Sequence, residues 1–261
     1  MTDRAPPGRL LQRMVAGPTL VSHALWFDRV GSTNAEVARR AADGAGEGLL
    51  VLADEQTAGR GRLGRSWHAP PGTSLMGSLL LRPPEAVAVL PQLPLLVGLA
   101  LAEACEPFVS GTQLSLKWPN DLLADGRKCA GILVESARPD AVVVGMGLNV
   151  DWRAVDRPDE LTAATSLSEV SRTPIDRWRL LTAVIDRLDR RYRAWCETGG
   201  DFLPAYRERC ATLGSVVRVD RIERPPIIGT AERITDTGTL VVATDDASVE
   251  LHAGDVHHLR T

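Results

Sequence analysis

A stretch in which three arginines alternate with three glycines is the part of this sequence best suited to binding an anion. It occupies residues 55–68 and reads EQTAGRGRLGRSWH. Such a composition cannot form a core, a helix or an ordinary strand. Glycine lets the backbone come close to a ligand, so backbone N–H groups and guanidinium groups can close around phosphate oxygens together. The stretch therefore predicts a loop that binds a polyphosphate or an acyl phosphate.

The glycines of this stretch also have the spacing of the dinucleotide-binding fingerprint, with Gly59, Gly61 and Gly64 at its three positions. We reject that interpretation, because the fingerprint requires a helix to begin within the glycines and Pro70-Pro71-Gly72 follows almost at once. The fingerprint also requires an acidic residue about 20 positions further on at the end of a strand, and none stands there. From this stretch alone, a flexible, solvated loop is the alternative.

A second informative stretch, residues 114–135, contains two lysines. Asp125-Gly126 is typical of a tight turn, so the stretch predicts a hairpin. Lys117 and Lys128 then lie on opposite arms, and both can face one cleft. Gly131 permits a ligand to approach the backbone closely beside Lys128. For each lysine taken singly, a solvated charge at a sheet edge is the alternative.

The elements that must position these stretches are predicted from apolar runs and from helix-start signals. Apolar runs predict strands at 24–27, 49–53, 74–81 and 141–150. The Gly/Arg stretch then connects the second and third of these strands, and the fourth ends in glycines and an amide, Asn149, suited to the edge of a base or sugar. Thr33 and Glu36 predict a capping box that opens a helix. Ser32, Thr33 and Asn34 either cap this helix only or also hydrogen-bond a ligand.

The rest of the chain predicts helices followed by a small all-β unit. A largely apolar helix is expected at 91–106, and a long amphipathic helix is expected from Thr173-Pro174 to Gly199-Gly200. Short strands are expected at 216–219, 227–234, 240–242 and near Val256. We interpret them as a small β-barrel that forms a separate C-terminal domain. Residues 1–22 are expected to be a flexible arm.

Composition limits the classes of function. With 261 residues and 44% hydrophobic residues, the chain can bury one large core or two smaller ones. A net charge of −3 gives no argument for binding nucleic acid. The four cysteines have neither a Cys-x-x-Cys pair nor metal-ligand spacing, so we expect reduced thiols and a cytoplasmic protein. No apolar run approaches the roughly 18 residues that a membrane helix needs.

Four motifs that occur in order along the chain together resemble biotin protein ligases. They lie at residues 60–67, 117–121, 128–133 and 145–149, and read RGRLGRSW, KWPND, KCAGIL and GMGLN. Agreement of four separate motifs is more specific than any one of them. The resemblance implies an α+β fold with two domains. Residues 23–212 would form a catalytic domain like class II aminoacyl-tRNA synthetases, with a mixed sheet, and residues 213–261 an SH3-like β-barrel.

The resemblance also implies an activity in two half-reactions. Biotin and ATP give biotinyl-5′-AMP and pyrophosphate, and a lysine of a biotin carboxyl carrier domain then takes the biotinyl group. Biotin, ATP and Mg²⁺ are the small molecules this requires, and the enzyme would be a monomer or a weak homodimer. Many members of the family carry an N-terminal winged helix-turn-helix and repress biotin operons. The residues before Trp26 are too few for such a module, so neither DNA binding nor repression is expected.

Site residues follow from the resemblance position by position. Catalytic roles are implied for Lys128 and Arg62. Contacts with biotin are implied for Ser32, Thr33, Asn34, Gln56, Arg60, Lys128 and Gly131. Contacts with ATP or its phosphates are implied for Gly59, Gly61, Arg62, Arg65, Trp67, Lys117, Asn120 and Asn149. By similarity, Lys128 lies between carboxylate and phosphate, where it stabilises the charge that develops as two anions react. The sequence does not identify the metal ligands.

Two other functions stay open at this level. A lipoate-protein ligase or related acyl transferase shares the fold and the lysine chemistry, although the Gly/Arg loop and the Lys-Trp-Pro-Asn-Asp motif favour biotin. A nucleic-acid-binding module could use Arg60, Arg62 and Arg65 on phosphates, with the β-barrel as a second contact. The net charge of −3 and the absence of a basic stripe count against that module.

Overall fold

The computed structural model describes residues 5–86, 88–156, 161–198, 201–221 and 224–259. Helices occupy Leu10–Ala16 (α1), Thr33–Ala42 (α2), Leu93–Cys105 (α3), Leu167–Ser171 (α4), Arg177–Thr198 (α5) and Leu203–Arg209 (α6). The first seven strands are His23–Val30 (β1), Leu49–Gln56 (β2), Ser74–Leu81 (β3), Leu114–Lys117 (β4), Asp121–Ala124 (β5), Arg127–Arg138 (β6) and Ala141–Asn149 (β7). The last five are Val216–Arg221 (β8), Arg224–Ile234 (β9), Leu240–Ala243 (β10), Ser248–Leu251 (β11) and Asp255–His258 (β12). Over the described ranges, no helix is long and apolar enough to cross a membrane.

The first sheet contains seven strands in the order β1-β2-β3-β7-β6-β5-β4. Strands β1 and β2 are parallel, because α2 crosses back between them, and the other neighbours are antiparallel. Every residue of β3 and β7 is buried, which explains why both strands are rich in apolar residues. The prediction of a mixed sheet is therefore confirmed, and the Gly/Arg stretch connects β2 to β3 as expected.

Helices cover both faces of this sheet. On one face, Val37 and Ala41 of α2 pack on Leu49, Val51 and other strand residues. On the opposite face, α3 packs between the sheet and α5, so most of its residues are buried on all sides. This double burial accounts for the apolar composition that predicted a buried helix at 91–106. All four cysteines are free thiols, in agreement with the sequence prediction.

The second sheet is antiparallel, with five strands in the order β11-β10-β9-β8-β12. The sequence predicted four of these strands and missed β11, in which Ser248 and Glu250 are exposed and little apolar pattern exists. Hydrogen bonds from the second sheet and from the residues just before it join this part of the chain to the end of β4. Ala211 N donates to Leu116 O at 2.8 Å, and Trp118 Nε1 donates to Gly238 O at 3.0 Å.

The hairpin predicted for residues 114–135 is wrong, because the chain makes two reversals there instead of one. Strand β4 pairs with β5, with Lys117 opposite Asp121, and β5 pairs with β6. The segment Trp118-Pro119-Asn120 forms the extra reversal, since proline cannot donate to a ladder of strand hydrogen bonds. Lys117 and Lys128 therefore lie on β4 and β6, with β5 between them.

Two predicted helix starts are also wrong. Ser32, not Thr33, caps α2, and its Oγ accepts a hydrogen bond from Ala35 N at 3.4 Å. Glu36 pairs with arginines on its own helix instead of completing a capping box. The long helix begins at Arg177, because Asp176 Oδ1 accepts from the backbone N–H of Trp178 at 2.8 Å. The predicted end at Gly199-Gly200 lies outside the described residues.

The flexible arm predicted for residues 1–22 is corrected by helix α1, although residues 1–4 lie outside the described part. Met14, Leu20 and Val21 are buried in the main core. Thr19 Oγ1 donates to Met14 O at 2.7 Å and closes the turn after the helix. Pro6-Pro7-Gly8 and Gly17-Pro18 flank a single short apolar stretch, so the local sequence resembled an arm.

A buried ion pair fixes both ends of the connection between β2 and β3. Arg177 Nη1 lies 2.9 Å from Asp54 Oδ1, with the side chains only 3% and 1% exposed. The same Asp54 oxygen accepts from Gly72 N at 3.0 Å, so the carboxylate joins the end of β2 to the start of β3. The guanidinium carbon stands 4.4 Å from the ring centroid of Trp178 and 5.9 Å from that of Trp26. The base of the Gly/Arg loop is thereby held rigidly.

We predict that Arg177→Leu lowers the free energy of unfolding by about 3–5 kcal/mol, because it leaves the Asp54 carboxylate buried without its cation. Urea unfolding followed by far-UV circular dichroism measures the change. The matched control is Arg193→Leu on the same helix, where the arginine is 49% exposed and pairs with Asp189 one turn away. Arg193→Leu should lower the free energy of unfolding by at most about 0.5 kcal/mol. Equal losses in the two variants would contradict a special role for the buried pair.

Candidate active site

The Gly/Arg loop and strand β6, which carries Lys128, meet at one cavity of about 120 Å³. The start of α2, the end of β2, strands β5 and β7 and the first residue of β12 supply most of the rest of its wall. The predicted site residues that line it are Ser32, Thr33, Asn34, Gln56, Arg60, Gly61, Arg62, Arg65, Trp67, Asn120, Lys128 and Gly131. The structure does not bring Gly59, Lys117 or Asn149 onto the cavity wall.

One end of the cavity is formed by a buried network of uncharged polar groups. Ser78 Oγ, on β3, lies 2.6 Å from Asn34 Oδ1 and 2.7 Å from Thr33 Oγ1. Because an amide oxygen only accepts, Ser78 donates to Asn34. Gln56 Oε1 accepts from the backbone N–H of Thr33 at 2.8 Å and lies 3.1 Å from its hydroxyl. These contacts fix the side chains at the start of α2 against two central strands.

Asn34 has little hydrogen-bonding capacity left for a ligand. Its Nδ2 donates to Leu133 O at 3.3 Å and to Glu135 Oε2 at 2.6 Å, which uses both amide protons. A Cβ atom at Gly145 would lie 2.2 Å from Asn34 Oδ1, so only glycine leaves room for this amide. In the structure, Asn34 therefore joins α2 to β6.

The Gly/Arg stretch folds into a small hairpin over the cavity. Gly61 N donates to Arg65 O at 2.6 Å, and Trp67 N donates to Gly59 O at 2.9 Å. Leu63, at the tip, adopts the left-handed conformation with φ of 55°. From the near arm, Arg60 Nη2 reaches Glu135 Oε2 at 3.1 Å. The loop is thus closed on itself, with its arginines directed to three separate partners.

Of the three arginines in the Gly/Arg loop, Arg62 is the most enclosed by the protein. Its Nη1 donates to Asn120 Oδ1 at 3.2 Å and to Gly254 O at 3.3 Å. Burial lowers the pKa of the Arg62 guanidinium, while the charges of Asp121 and Asp255 act to raise it. Asn120 Nδ2 donates to Ile132 O at 2.9 Å, so its amide is fixed on β6 while its oxygen positions Arg62.

Lys128 projects into the cavity from β6 and is held by a carboxylate. Its Nζ lies 2.7 Å from Asp121 Oδ1 and 5.9 Å from the ring centroid of Trp67. Asp121 was assigned no role from the sequence, although the residue belongs to the Lys-Trp-Pro-Asn-Asp motif. The contact directs the ammonium group toward the space beneath the loop arginines.

Trp67 fills the space that two glycines leave on the sheet. A Cβ atom at Gly147 would lie 2.4 Å from Trp67 Cε2, and one at Gly131 would lie 3.0 Å from Cζ3. The sequence analysis interpreted Gly131 as clearance for a ligand, whereas the structure places the indole and the Lys128 side chain there. Trp67 Nε1 is buried and has no hydrogen-bond partner among the described residues. A ligand with an acceptor at that place would satisfy it.

Three predicted residues support the site from outside the cavity wall. A Cβ atom at Gly59 would lie 2.5 Å from Trp67 O, so this glycine lets the two arms of the loop close. Lys117 is the last residue of β4. Burial lowers the pKa of its ammonium group, whereas the charges of Asp121 and Asp255 act to raise it. Asn149 Nδ2 donates to the backbone of Thr165 at 3.0 Å. Its buried Oδ1 has no hydrogen-bond partner within the described ranges.

Asp255 on β12 also lines the cavity, and it lies outside all four sequence motifs. Its Oδ1 lies 2.9 Å from Arg65 Nη2. Burial acts to raise the pKa of Asp255, but the hydrogen bond and charge of Arg65, together with His257 and Lys117, leave it below its usual value. No local motif marks this aspartate, because it reaches the cavity only through the packing of the second sheet.

Comparison with known proteins connects this geometry to a family. The Biotin/lipoate A/B protein ligase family model matches residues 26–151. The biotin–[acetyl-CoA-carboxylase] ligase of Mycobacterium tuberculosis is 38% identical over 237 residues, which cover 89% of this chain and 87% of that protein. The bifunctional ligase/repressor BirA of Bacillus subtilis is 35% identical over 240 residues, covering 90% of this chain and 73% of that protein.

A solved structure agrees with these relatives. The biotin protein ligase from Aquifex aeolicus, in complex with biotin and ATP, superimposes with a TM-score of 0.79 at 31% identity. The match covers 92% of this chain and 99% of that one. It supports both the mixed α+β architecture and the resemblance found in the four motifs. The chain therefore belongs to the biotin protein ligase family.

Proposed function

We propose that this enzyme activates biotin with ATP to biotinyl-5′-AMP, releasing pyrophosphate, and then transfers biotin to a lysine of a biotin carboxyl carrier domain. One observation carries the proposal: a single cavity has a buried, uncharged polar network at one end and Lys128, Arg62 and Arg65 at the other. The names of its relatives, which include biotin–[acetyl-CoA-carboxylase] ligases, point to the same substrates.

The polar end of the cavity suits the ureido ring of biotin. Unpaired buried polar groups cost about 1–3 kcal/mol each, so such a ring needs partners when it leaves water. Ser32 accepts from Ala35 N and keeps its hydroxyl proton to donate. Gln56 Nε2 makes a weak contact with Met76 Sδ at 3.5 Å and can also donate to a ligand. The dithiolane ring of lipoate offers no acceptor of comparable strength, so this end favours biotin.

The charged end suits the reacting groups. Attack of the biotin carboxylate on the α-phosphate brings two anions together, and fixed cations stabilise the charge that develops. We assign this role to Lys128, which Asp121 holds in place, and the remaining phosphates to Arg62 and Arg65, with Gly59 and Gly61 giving the loop room to close over them. Further contacts with the nucleotide are assigned to Trp67, Lys117, Asn120 and Asn149. Biotin is assigned to Ser32, Thr33, Asn34, Gln56, Arg60, Lys128 and Gly131.

Mg²⁺ fits this site as an ion that arrives with ATP. In the described part of the chain, no three His, Cys, Asp or Glu side chains converge closely enough to hold a metal ion. Asp121 and Asp255 are the carboxylates of the cavity wall, and each already pairs with a cation. Mg²⁺ keeps several waters and binds readily through substrate phosphates with few protein ligands. When bound, it screens phosphate charge.

In the second step, the carrier lysine in its neutral form attacks the acyl carbonyl of biotinyl-AMP, an amide bond forms, and AMP leaves with the bonding electrons. Until then the loop at residues 55–68 must exclude water from the mixed anhydride.

We assign residues 23–212 to a catalytic domain like that of class II aminoacyl-tRNA synthetases, and residues 213–261 to an SH3-like barrel. The five-stranded antiparallel second sheet supports the barrel assignment. The free thiols support a cytoplasmic location, and we propose a monomer or weak homodimer.

Biotin-dependent exchange of pyrophosphate into ATP tests the first half-reaction without any carrier protein. Exchange with biotin and none with lipoate is the expected result. Exchange with lipoate alone would move the protein to the lipoate ligases that share its family model. Exchange with neither acid would contradict adenylation altogether, and salt-dependent binding to DNA would then be the next measurement.

Lys128→Met should reduce the exchange rate about 10²–10³-fold, the scale of losing one preorganised charge at a reacting centre. Methionine keeps an unbranched stem against Trp67 but leaves Asp121 without its cation, so a modest fall of the thermal midpoint is expected. Lys128→Arg restores the charge and should recover part of the rate. Exchange at the parent rate in Lys128→Met would remove the assigned role.

The lysine content of the chain gives a second readout for the site. Lys117 and Lys128 are the two lysines of the whole sequence. Acetylation with acetic anhydride, followed by peptide mass spectrometry, therefore reports on these two amines and the amino terminus. Biotin and ATP together should protect Lys128 from the reagent.

Arg62→Gly should release biotinyl-AMP and label proteins other than the carrier, because the loop loses its contacts with Asn120 and Gly254. Streptavidin blots of the enzyme mixed with serum albumin measure this labelling. The control is Leu63→Gly, which makes the adjacent loop position more flexible but keeps both contacts of Arg62. Labelling confined to the carrier in Arg62→Gly, or equal labelling in the two variants, would refute retention by Arg62.

A further inference from the structure

The second sheet holds both arginines that we assign to the phosphates. Asp255, the first residue of β12, pairs with Arg65 at 2.9 Å. The carbonyl oxygen of the preceding residue, Gly254, accepts from Arg62 at 3.3 Å. The first residue of β12 and the residue just before it therefore both tether the loop to the second sheet.

The core of the second sheet fixes the position of these tethers. Asp255 lies opposite Asp220 in the antiparallel pair of β12 with β8. A Cβ atom at Gly254 would lie 2.4 Å from Cγ1 of the buried Val219, so the backbone of β12 is pressed directly on the core. Val256, the next residue, is buried in the same core. The carboxylate and the carbonyl are thus presented by a rigid strand.

The surroundings of Asp255 keep its carboxylate charged. A charged carboxylate is the same kind of acceptor for Arg65 as a phosphate. Arg65 and His257 contact its two oxygens, at 2.9 and 3.3 Å, and Lys117 adds a further positive field. A carboxylate offers a guanidinium two anionic oxygen acceptors, as a phosphate does. Arg65 cannot satisfy both anions with the same N–H groups, and two neighbouring anions repel each other.

We propose that Asp255 competes with the phosphates of ATP for Arg65, so that β12 tethers the Gly/Arg loop until the nucleotide replaces the carboxylate. The proposal rests on the proposed function for the assignment of phosphates to this loop. It makes Asp255 a positioning residue that sets the affinity for ATP through Arg65, without contact with biotin. The second sheet thereby acts on the first half-reaction as well as on the stability of the loop.

The test uses the full chain with Asp255→Asn, which keeps the shape of the side chain and removes its charge. Calorimetric titration with ATP and Mg²⁺, without biotin, should show a Kd about two- to fivefold lower, the range expected for loss of a partly exposed ion pair. Trypsin should cut after the loop arginines about two- to fivefold faster without ATP, because one tether is gone. The Kd for biotin should not change.

Asp220→Asn is the matched control. It removes the same charge from the residue opposite in the sheet, which also contacts His257 at 3.3 Å but does not touch the loop. Neither the Kd for ATP nor the cleavage rate should change in this variant.

Several outcomes would overturn the proposal. Unchanged or weaker ATP binding in Asp255→Asn rules out competition, and a parental cleavage rate rules out the tether. If Asp220→Asn changes the Kd for ATP and the cleavage rate equally, both effects come from the overall negative charge of the second sheet and not from the contact of Asp255 with Arg65. A parent protein that binds no ATP overturns the proposed function and the competition together. If the parent protein and Asp255→Asn bind ATP equally tightly, the competition is overturned and the proposed function is not.

Discussion

Positive charge concentrated beside one small cavity is the constraint on which this site depends. Lys128, Arg62 and Arg65 all reach its wall, in a chain whose net charge is −3. Like charges at such distances repel, and enclosing a guanidinium removes it from water. The structure provides a separate acceptor for each cation: Asp121 for Lys128, Asn120 and Gly254 for Arg62, and Asp255 for Arg65. Because these acceptors come from both sheets, the charged end of the cavity cannot form without the second sheet.

The two ends of the cavity are built on different principles. At the uncharged end, Ser78 on the fully buried strand β3 fixes Thr33 and Asn34 through short hydrogen bonds. At the charged end, the acceptors lie on the short strand β5, in the turn before it and at the edge strand β12. A rigid uncharged end suits recognition of a neutral ring, and an end held by exchangeable ion pairs suits groups whose charge changes during a reaction.

The parts of the fold that were predicted correctly are those with strong local patterns. The strands β3 and β7 are rich in apolar residues, and such stretches predict buried strands without any knowledge of their neighbours. The extra reversal at Trp118-Pro119-Asn120 was missed because its residues lie within an otherwise strand-like stretch. Strand β11 was missed because it is short and half exposed. The burial of Met14 and Val21 depends on contacts with distant elements, which a local pattern does not reveal.

For the site, the motifs predicted which residues gather but not what each one touches. Twelve of the fifteen different residues named in advance line the cavity, a result that local composition alone could not give. The partners Asp121 and Asp255 were not foreseen, and they determine where the cations can lie. A motif identifies a residue type that chemistry needs, whereas its partner is chosen by tertiary packing.

The glycines of β6 and β7 admit protein side chains that no local pattern reveals. In the sequence, Gly131 and the glycines near the end of β7 were interpreted as room for a ligand. In the structure, the amide of Asn34 and the indole of Trp67 approach Gly131, Gly145 and Gly147. A ligand in the cavity therefore contacts side chains for which the glycines leave room. Substitution of any of these glycines would change ligand binding by displacing those side chains. The missing Cβ atoms thus shape the cavity indirectly, by deciding how close the start of α2 and the Gly/Arg loop come to the sheet.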